Sequence, residues 1–201
     1  MCTGIIESGL MTFGLVVAIR YFELPQALKA TVASANAFGL LLTPATLYWF
    51  GREGSPAARA AARNFLIGAV FLAAAALAPN AWVFVPTLVA SAMVLAQQAP
   101  LMVHIYTANY RASHRGRLLS NSIVLSLITA ILFTTVGGHF LDRDLGAFRW
   151  LFAIMAVAAA VSAVAVAGIP SQPITASGGR NPLAALRFVR EDRTFAWMLG
   201  V

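Results

Sequence analysis

The stretch FLIGAVFLAAAALAPNAWVFVPTLVASAMVLAQQAPLMV, residues 65–103, contains no Asp, Glu, Lys or Arg. About 20 apolar residues in a helix cross a ~30 Å hydrocarbon core. The stretch is therefore long enough for two crossings, and Pro79-Asn80 and Pro86 interrupt it. Water would have to solvate every exposed apolar group along it, whereas lipid solvates them at no cost. The chain belongs in a membrane.

The flanking sequence repeats the pattern. Six spans are expected, at residues 4–22, 28–50, 64–78, 82–106, 118–136 and 148–169. Turn-forming or polar segments separate them: Glu23-Leu24-Pro25, Gly51 to Pro56, Pro79-Asn80, residues 109–117, Gly137-Gly138 with Asp142-Arg143-Asp144, and Pro170. The expected fold is an all-α membrane protein, a six-transmembrane-helix bundle over residues 1–170. A polar cytoplasmic linker over 171–194 should follow. Within it, residues 183–193 read as a basic amphipathic helix suited to a membrane surface. Residues 195–201 are apolar again but too few to cross a bilayer, which reads as the start of a truncated seventh span. An interfacial anchor is the alternative reading of that run.

Composition agrees. Of 201 residues, 60% are hydrophobic and 10% charged, with a mean hydropathy of +0.79, against about 25% charged in soluble domains. A net charge of +7 would suggest nucleic acid for a soluble chain. Here the arginines occupy the loops between spans, so they set topology and no nucleic-acid partner is expected. Cys2 is the single cysteine, which excludes an internal disulfide and any cysteine-based metal cluster. No metal or other cofactor is expected. The first span runs into Arg20-Tyr21-Phe22 and lacks the small-residue cleavage site of a signal peptide.

Loop charge orients the bundle. The loops after spans two, four and six hold Arg52, Arg59, Arg63, Arg111, Arg115, Arg117, Arg180, Arg187, Arg190 and Arg193; the other loops hold Arg20, Lys29, Arg143 and Arg149. Cytoplasmic loops carry the excess of positive charge, so both termini should be cytoplasmic. The alanine- and arginine-rich composition suggests a bacterial inner membrane.

Six spans followed by a basic linker resemble the N-terminal half of a major facilitator superfamily transporter. The loop after span two, Gly51-Arg52-Glu53-Gly54 with Arg59 and Arg63, is similar to the glycine- and arginine-containing loop of that family, although the family's aspartate has no clear match. Arg115-Gly116-Arg117 after span four looks like the family's arginine–glycine signature. The resemblance implies a role in gating or topology for Gly51, Arg52, Arg115, Gly116 and Arg117. It also implies alternating access between two bundles, with a missing C-terminal half or a partner chain supplying the second. Independently, arginines at helix ends can neutralise the negative carbonyl termini of spans two and four.

No nucleophile elbow, zinc-protease motif or phosphate loop is present, and an enzyme is not expected. Polar residues within spans carry the functional interest, since they are costly against lipid. Gln97, Gln98, Asn36 and Ser34 are candidates to line a substrate cavity. Glu7, near the start of span one, is a candidate proton-coupling carboxyl. Neighbouring glutamines differ by ~100° on a helix, so at most one points into a cavity. For the glutamines the alternative is a helix-to-helix hydrogen bond; for Glu7 it is a carboxylate at the membrane interface. The expected function is secondary transport of an unidentified small solute. The rival is a six-span scaffold or assembly protein without transport, with the lipid bilayer as environment in both.

Orientation is testable. In a Cys2→Ser background, a cysteine at Ser113 should resist a membrane-impermeant maleimide added to intact cells, and one at Asn80 should react. The reverse pattern would overturn the assignment.

Overall fold

The computed structural model describes residues 2–174; the expected segments at 183–193 and 195–201 lie outside the described residues. The described residues form α1 (Cys2–Arg20), α2 (Gln26–Arg52), α3 (Ala57–Ala76), α4 (Ala81–Ala96), α5 (Gln98–Asn109), α6 (Ala112–Arg143) and α7 (Phe148–Ala167). Among them there is no named strand. With α4 and α5 counted as one broken rod, six helices are long and apolar enough to cross a membrane. The chain is an all-helical integral membrane protein. Helices are forced here, because hydrocarbon offers the backbone no hydrogen-bond partner.

Helix edges depart from the hydropathy pattern where residues are polar but strongly helix-forming. Span three begins at Ala57, two turns before the apolar run, because Ala57-Ala58-Arg59-Ala60-Ala61-Ala62-Arg63 has the highest helix propensities available. Ala57, Ala58, Ala60 and Ala61 are buried, while Arg59 and Arg63 face outward. Helix α6 likewise starts at Ala112, so Tyr110-Arg111 alone separates it from α5. It also runs on through Gly137-Gly138 to Arg143. Gly137 is tolerated there because it gives room to the Phe13 ring.

The fourth span breaks at Gln97. Pro100 sits in the first turn of α5 and has no N–H; its ring also opposes the carbonyl of Ala96. Pro44 and Pro86, by contrast, stay inside α2 and α4.

Helix α3 is central, packed along α7 and against α4 and α5; α1 packs on α6 and α7, and α2 on α4. Small residues make these approaches possible. A Cβ at Gly39 would lie 2.8 Å from the Met93 backbone on α4, and Gly4 leaves no such room against Ser126 on α6. Ala156, Ala158, Ala159 and Ala163 are buried on α7. Tyr21, Phe22, Phe84, Phe148 and Phe152 form a chain of edge-on and tilted rings joining the turn after α1 to α4 and α7.

The two ends of the bundle differ. At one end, residues 170–174 strap three elements together. Ala57 N–H donates to the Gln172 carbonyl at 3.3 Å, Ile174 N–H to the Ser55 carbonyl at 3.1 Å, and Asn109 Nδ2 to the Pro170 carbonyl at 2.9 Å. Arg52, Arg59, Arg63, Arg111, Arg115 and Arg117 gather at this end with Glu53. At the other, Arg20 pairs with Asp142 at 3.0 Å. The loops that the sequence assigns to one side thus share one end of the bundle.

Gly39→Ala should lower the thermal stability of the detergent-solubilised protein by about 1–3 kcal/mol, because the new methyl meets backbone that cannot move aside. Gly138→Ala, with open space around it, should be neutral or stabilising. Unfolding followed by loss of the monodisperse peak on size-exclusion chromatography measures both.

Candidate functional site

The depth of Glu7 decides what it can do. Helices α1 and α6 run parallel. Thr3 meets Ser126 at 3.3 Å, Gly9 lies against Phe133, Phe13 packs on Phe133 and Gly137, and Arg20 reaches Asp142. This register sets Glu7 level with the middle of the 32-residue α6. It also lies 13 residues from Arg20, while Asn36 is 10 from Gln26 and Ala92 is 11 from Ala81. At 1.5 Å per residue, all three are roughly 15–20 Å from that end of the bundle, half the thickness of a hydrocarbon core. Glu7 lies near the start of its own helix, yet its packing partners set it level with the middle of the bundle.

Glu7 and Asn36 line one cavity of about 220 Å³, with Leu10, Met11, Leu15, Val32, Ala33 and Ala92. It lies between α1, α2 and α4. Glu7 is exposed on the side not covered by the bundle, and Asn36 is half-buried. Among the described residues, neither side chain makes a hydrogen bond or ion pair with another residue.

The other cavity candidates are engaged. Gln97 is 4% exposed and crosses to α2. Its Nε2 donates to the Gly39 carbonyl, and its Oε1 accepts from Thr46 Oγ1 at 2.8 Å. Gln98 turns the other way and donates from Nε2 to the Ala61 carbonyl of α3 at 2.9 Å. The two adjacent amides thus reach opposite neighbours. Gln98 Oε1 is buried without a hydrogen-bond partner among the described residues. Ser34 Oγ donates to the carbonyl of Ala30, one turn back, at 2.5 Å. The sequence candidates therefore do not converge on one site: Glu7 and Asn36 meet, and Gln97, Gln98 and Ser34 spend their donors on backbone carbonyls.

At the arginine-rich end, Gly51 and Arg52 complete the last turn of α2, and Gly54, at φ +62, makes the turn that follows. Only glycine adopts that backbone readily. Glu53 is not among the candidates that sequence reasoning yields, yet it organises this loop. It accepts from Trp49 Nε1 at 2.6 Å, Arg63 Nη1 at 3.2 Å and Ser55 Oγ at 3.3 Å. The Trp49 hydrogen bond, helped by Arg63 and Ser55, holds its carboxyl below the usual carboxylate range. Its position one residue past an arginine at a helix end was the available signal. Arg52 lines a surface hollow with Tyr48 and Trp49. Arg115 Nη2 donates to the carbonyls of Thr107 and Tyr110 at 3.1 and 3.2 Å, capping α5 as expected for a cation at a helix C-terminus. Gly116 and Arg117 are exposed.

Among the described residues, no group of three His, Cys, Asp or Glu is placed to hold a metal ion. Comparison of the chain with protein-family models, with curated proteins and with solved structures gives no match.

Gln97→Leu keeps the volume but removes the bonds from α4/α5 to α2. Interhelical hydrogen bonds in membranes contribute about 0.6–1.7 kcal/mol, so destabilisation of that order is expected. A double-mutant cycle with Thr46→Val should show coupling between the two positions, and strict additivity would contradict the clamp.

Proposed function

We propose that this chain is a bundle of a secondary transporter of the major facilitator type, moving a small solute by alternating access. One observation carries the reading: a carboxyl and an amide, neither with a partner among the described residues, share a cavity level with the middle of the bundle, on an open side of it. A charge there is expensive against lipid, so that side has to meet water or protein. In transporters built from repeats, substrate and coupling-ion sites lie near the midplane between two bundles. The opposing wall would come from a second bundle, whether on the same polypeptide or on a partner chain. The arginine-rich end would face the cytoplasm, in a bacterial inner membrane, with Arg52, Glu53, Arg63 and Arg115 acting in that loop network.

In this reading Glu7 carries the coupling proton and Asn36 contributes donors and an acceptor to the solute. Gln97 and Gln98 hold the wall together instead of lining it. Their clamping roles would also serve a scaffold without transport, and that rival gives no reason for a mid-depth carboxylate left without a partner.

The test is solute-dependent proton movement in proteoliposomes loaded with a pH-sensitive dye, for the chain alone and with its second bundle co-expressed. Solute addition should move protons in the complete assembly, and Glu7→Gln should abolish that flux while the protein still inserts and purifies normally. Wild-type flux in Glu7→Gln would remove the coupling role. Absence of flux in every assembly, across cationic, neutral and anionic solutes, would leave the scaffold.

A further inference from the structure

We propose that the Glu7–Asn36 cavity selects a small organic monocation: an ammonium group on apolar substituents, with the Glu7 carboxylate as its counter-charge. The inference deepens the transport reading and rests on the same cavity, but it concerns binding, which is measured without transport.

The charge argument comes first. Among the described residues, every Lys and Arg lies within about two turns of a helix end or in a loop: Arg20, Lys29, Arg143 and Arg149 at one end of the bundle, and Arg52, Arg59, Arg63, Arg111, Arg115 and Arg117 at the other. The acidic residues Glu23, Glu53, Asp142 and Asp144 also lie at the ends. Among the described residues, the middle of the bundle therefore holds one formally charged side chain, and it is acidic. An anionic solute would meet repulsion there with no cation among the described residues to offset it, and a neutral solute would leave the carboxylate unpaired.

The walls then choose among cations. Leu10, Met11, Leu15 and Val32 give no oxygen ligands. One carboxylate and one amide fall far short of the six to eight oxygens that calcium takes, or the octahedral shell of magnesium. A strongly hydrated metal ion would keep its water, and apolar walls do not replace it. A weakly hydrated alkylammonium loses little on entry and gains contact with those walls, with the flexible thioether of Met11 fitting itself to the substituents. Asn36 can turn its carbonyl oxygen, the negative end of the amide dipole, toward the same cationic group. The part of the cavity that this bundle encloses, about 220 Å³, has room for one ammonium and its nearest apolar substituents, less than the ~300–1,000 Å³ of whole pockets for drug-sized ligands.

Equilibrium dialysis of radiolabelled benzyltrimethylammonium against the full chain in dodecyl maltoside, an uncharged detergent, tests this. Competitors are neopentylbenzene, its uncharged isostere compared at equal free aqueous concentration, and benzenesulfonate. Saturable cation binding is expected, with both competitors at least about tenfold weaker than unlabelled cation. Glu7→Gln should weaken binding by about tenfold or more, while Glu23→Gln, at the bundle end, leaves it unchanged. If Glu7→Gln does not run as a monodisperse peak, Ala33→Lys, which sets a positive charge in the same cavity from an exposed position, should abolish cation binding. Absent binding, binding that survives either cavity variant, or displacement by benzenesulfonate as effective as by the cation overturns the inference. Glu7-dependent binding without transport in any proteoliposome assembly would overturn the transport reading and leave this one standing.

Discussion

Hydrocarbon gives a polar group nothing to bond to, and most features of this molecule follow from that. Backbone amides are satisfied within helices, and formal charges are pushed to the helix ends. Polar side chains that remain inside must find partners in the protein. Hydroxyls do so locally: Thr31, Ser34 and Thr134 each donate to the carbonyl one turn back. The two glutamines are too long for that alone and reach across to neighbouring helices. Against this background, a side chain that bonds to nothing is informative.

The α2–α4 crossing shows how closely sequence and packing are coupled. Pro100 breaks the fourth span and frees Gln97 from regular helix. Gly39 brings α2 close enough for that amide to reach its carbonyl. Thr46, two residues after Pro44, then closes the other side of the amide. Each of these residues alone is ordinary in a membrane helix; together they make a junction in which two proline-weakened rods share one side chain.

The number of spans was legible because hydropathy reports the solvent of each segment directly. Span edges were less so, because Ala57 to Arg63 and Ser113 to Arg117 are polar enough to read as loops yet continue a helix once helix propensity and packing act together. The site was legible only in its residue types. That Gln97 and Gln98 must diverge follows from the helical period; which neighbours they meet depends on the arrangement of helices. The depth of Glu7 is the clearest case. A residue's distance from its own helix end says little when the adjacent helix begins elsewhere, and the register between α1 and α6 is fixed by side-chain fits such as Gly9 on Phe133 and Phe13 on Gly137. Those are pairwise, long-range facts with no signature in local composition.

Exposure alone does not say which faces lipid covers, but the chemistry of the exposed residues does. Helices α2 and α6 are the least buried, with 17% and 6% of their apolar windows inside the bundle, against 50% for α3 and α7. Beyond the terminal turns, α3 and α7 show Leu66, Ile67, Val70, Ile154, Val157 and Val161 to the outside. Lipid solvates such a surface completely. The outer surfaces of α1, α2 and α6 also carry Asn36, Asn121, His139 and Glu7. Asn121 and His139 lie toward the two ends of α6, where headgroups and water reach. Asn36 and Glu7 do not, for both sit at the level where neither is available from the lipid side. Back-bonding to the preceding turn, which satisfies the hydroxyls, is not used by either. Polar groups in that position need water or a partner to reach them through the open side between α1 and α2, and the hydrocarbon of a bilayer supplies neither.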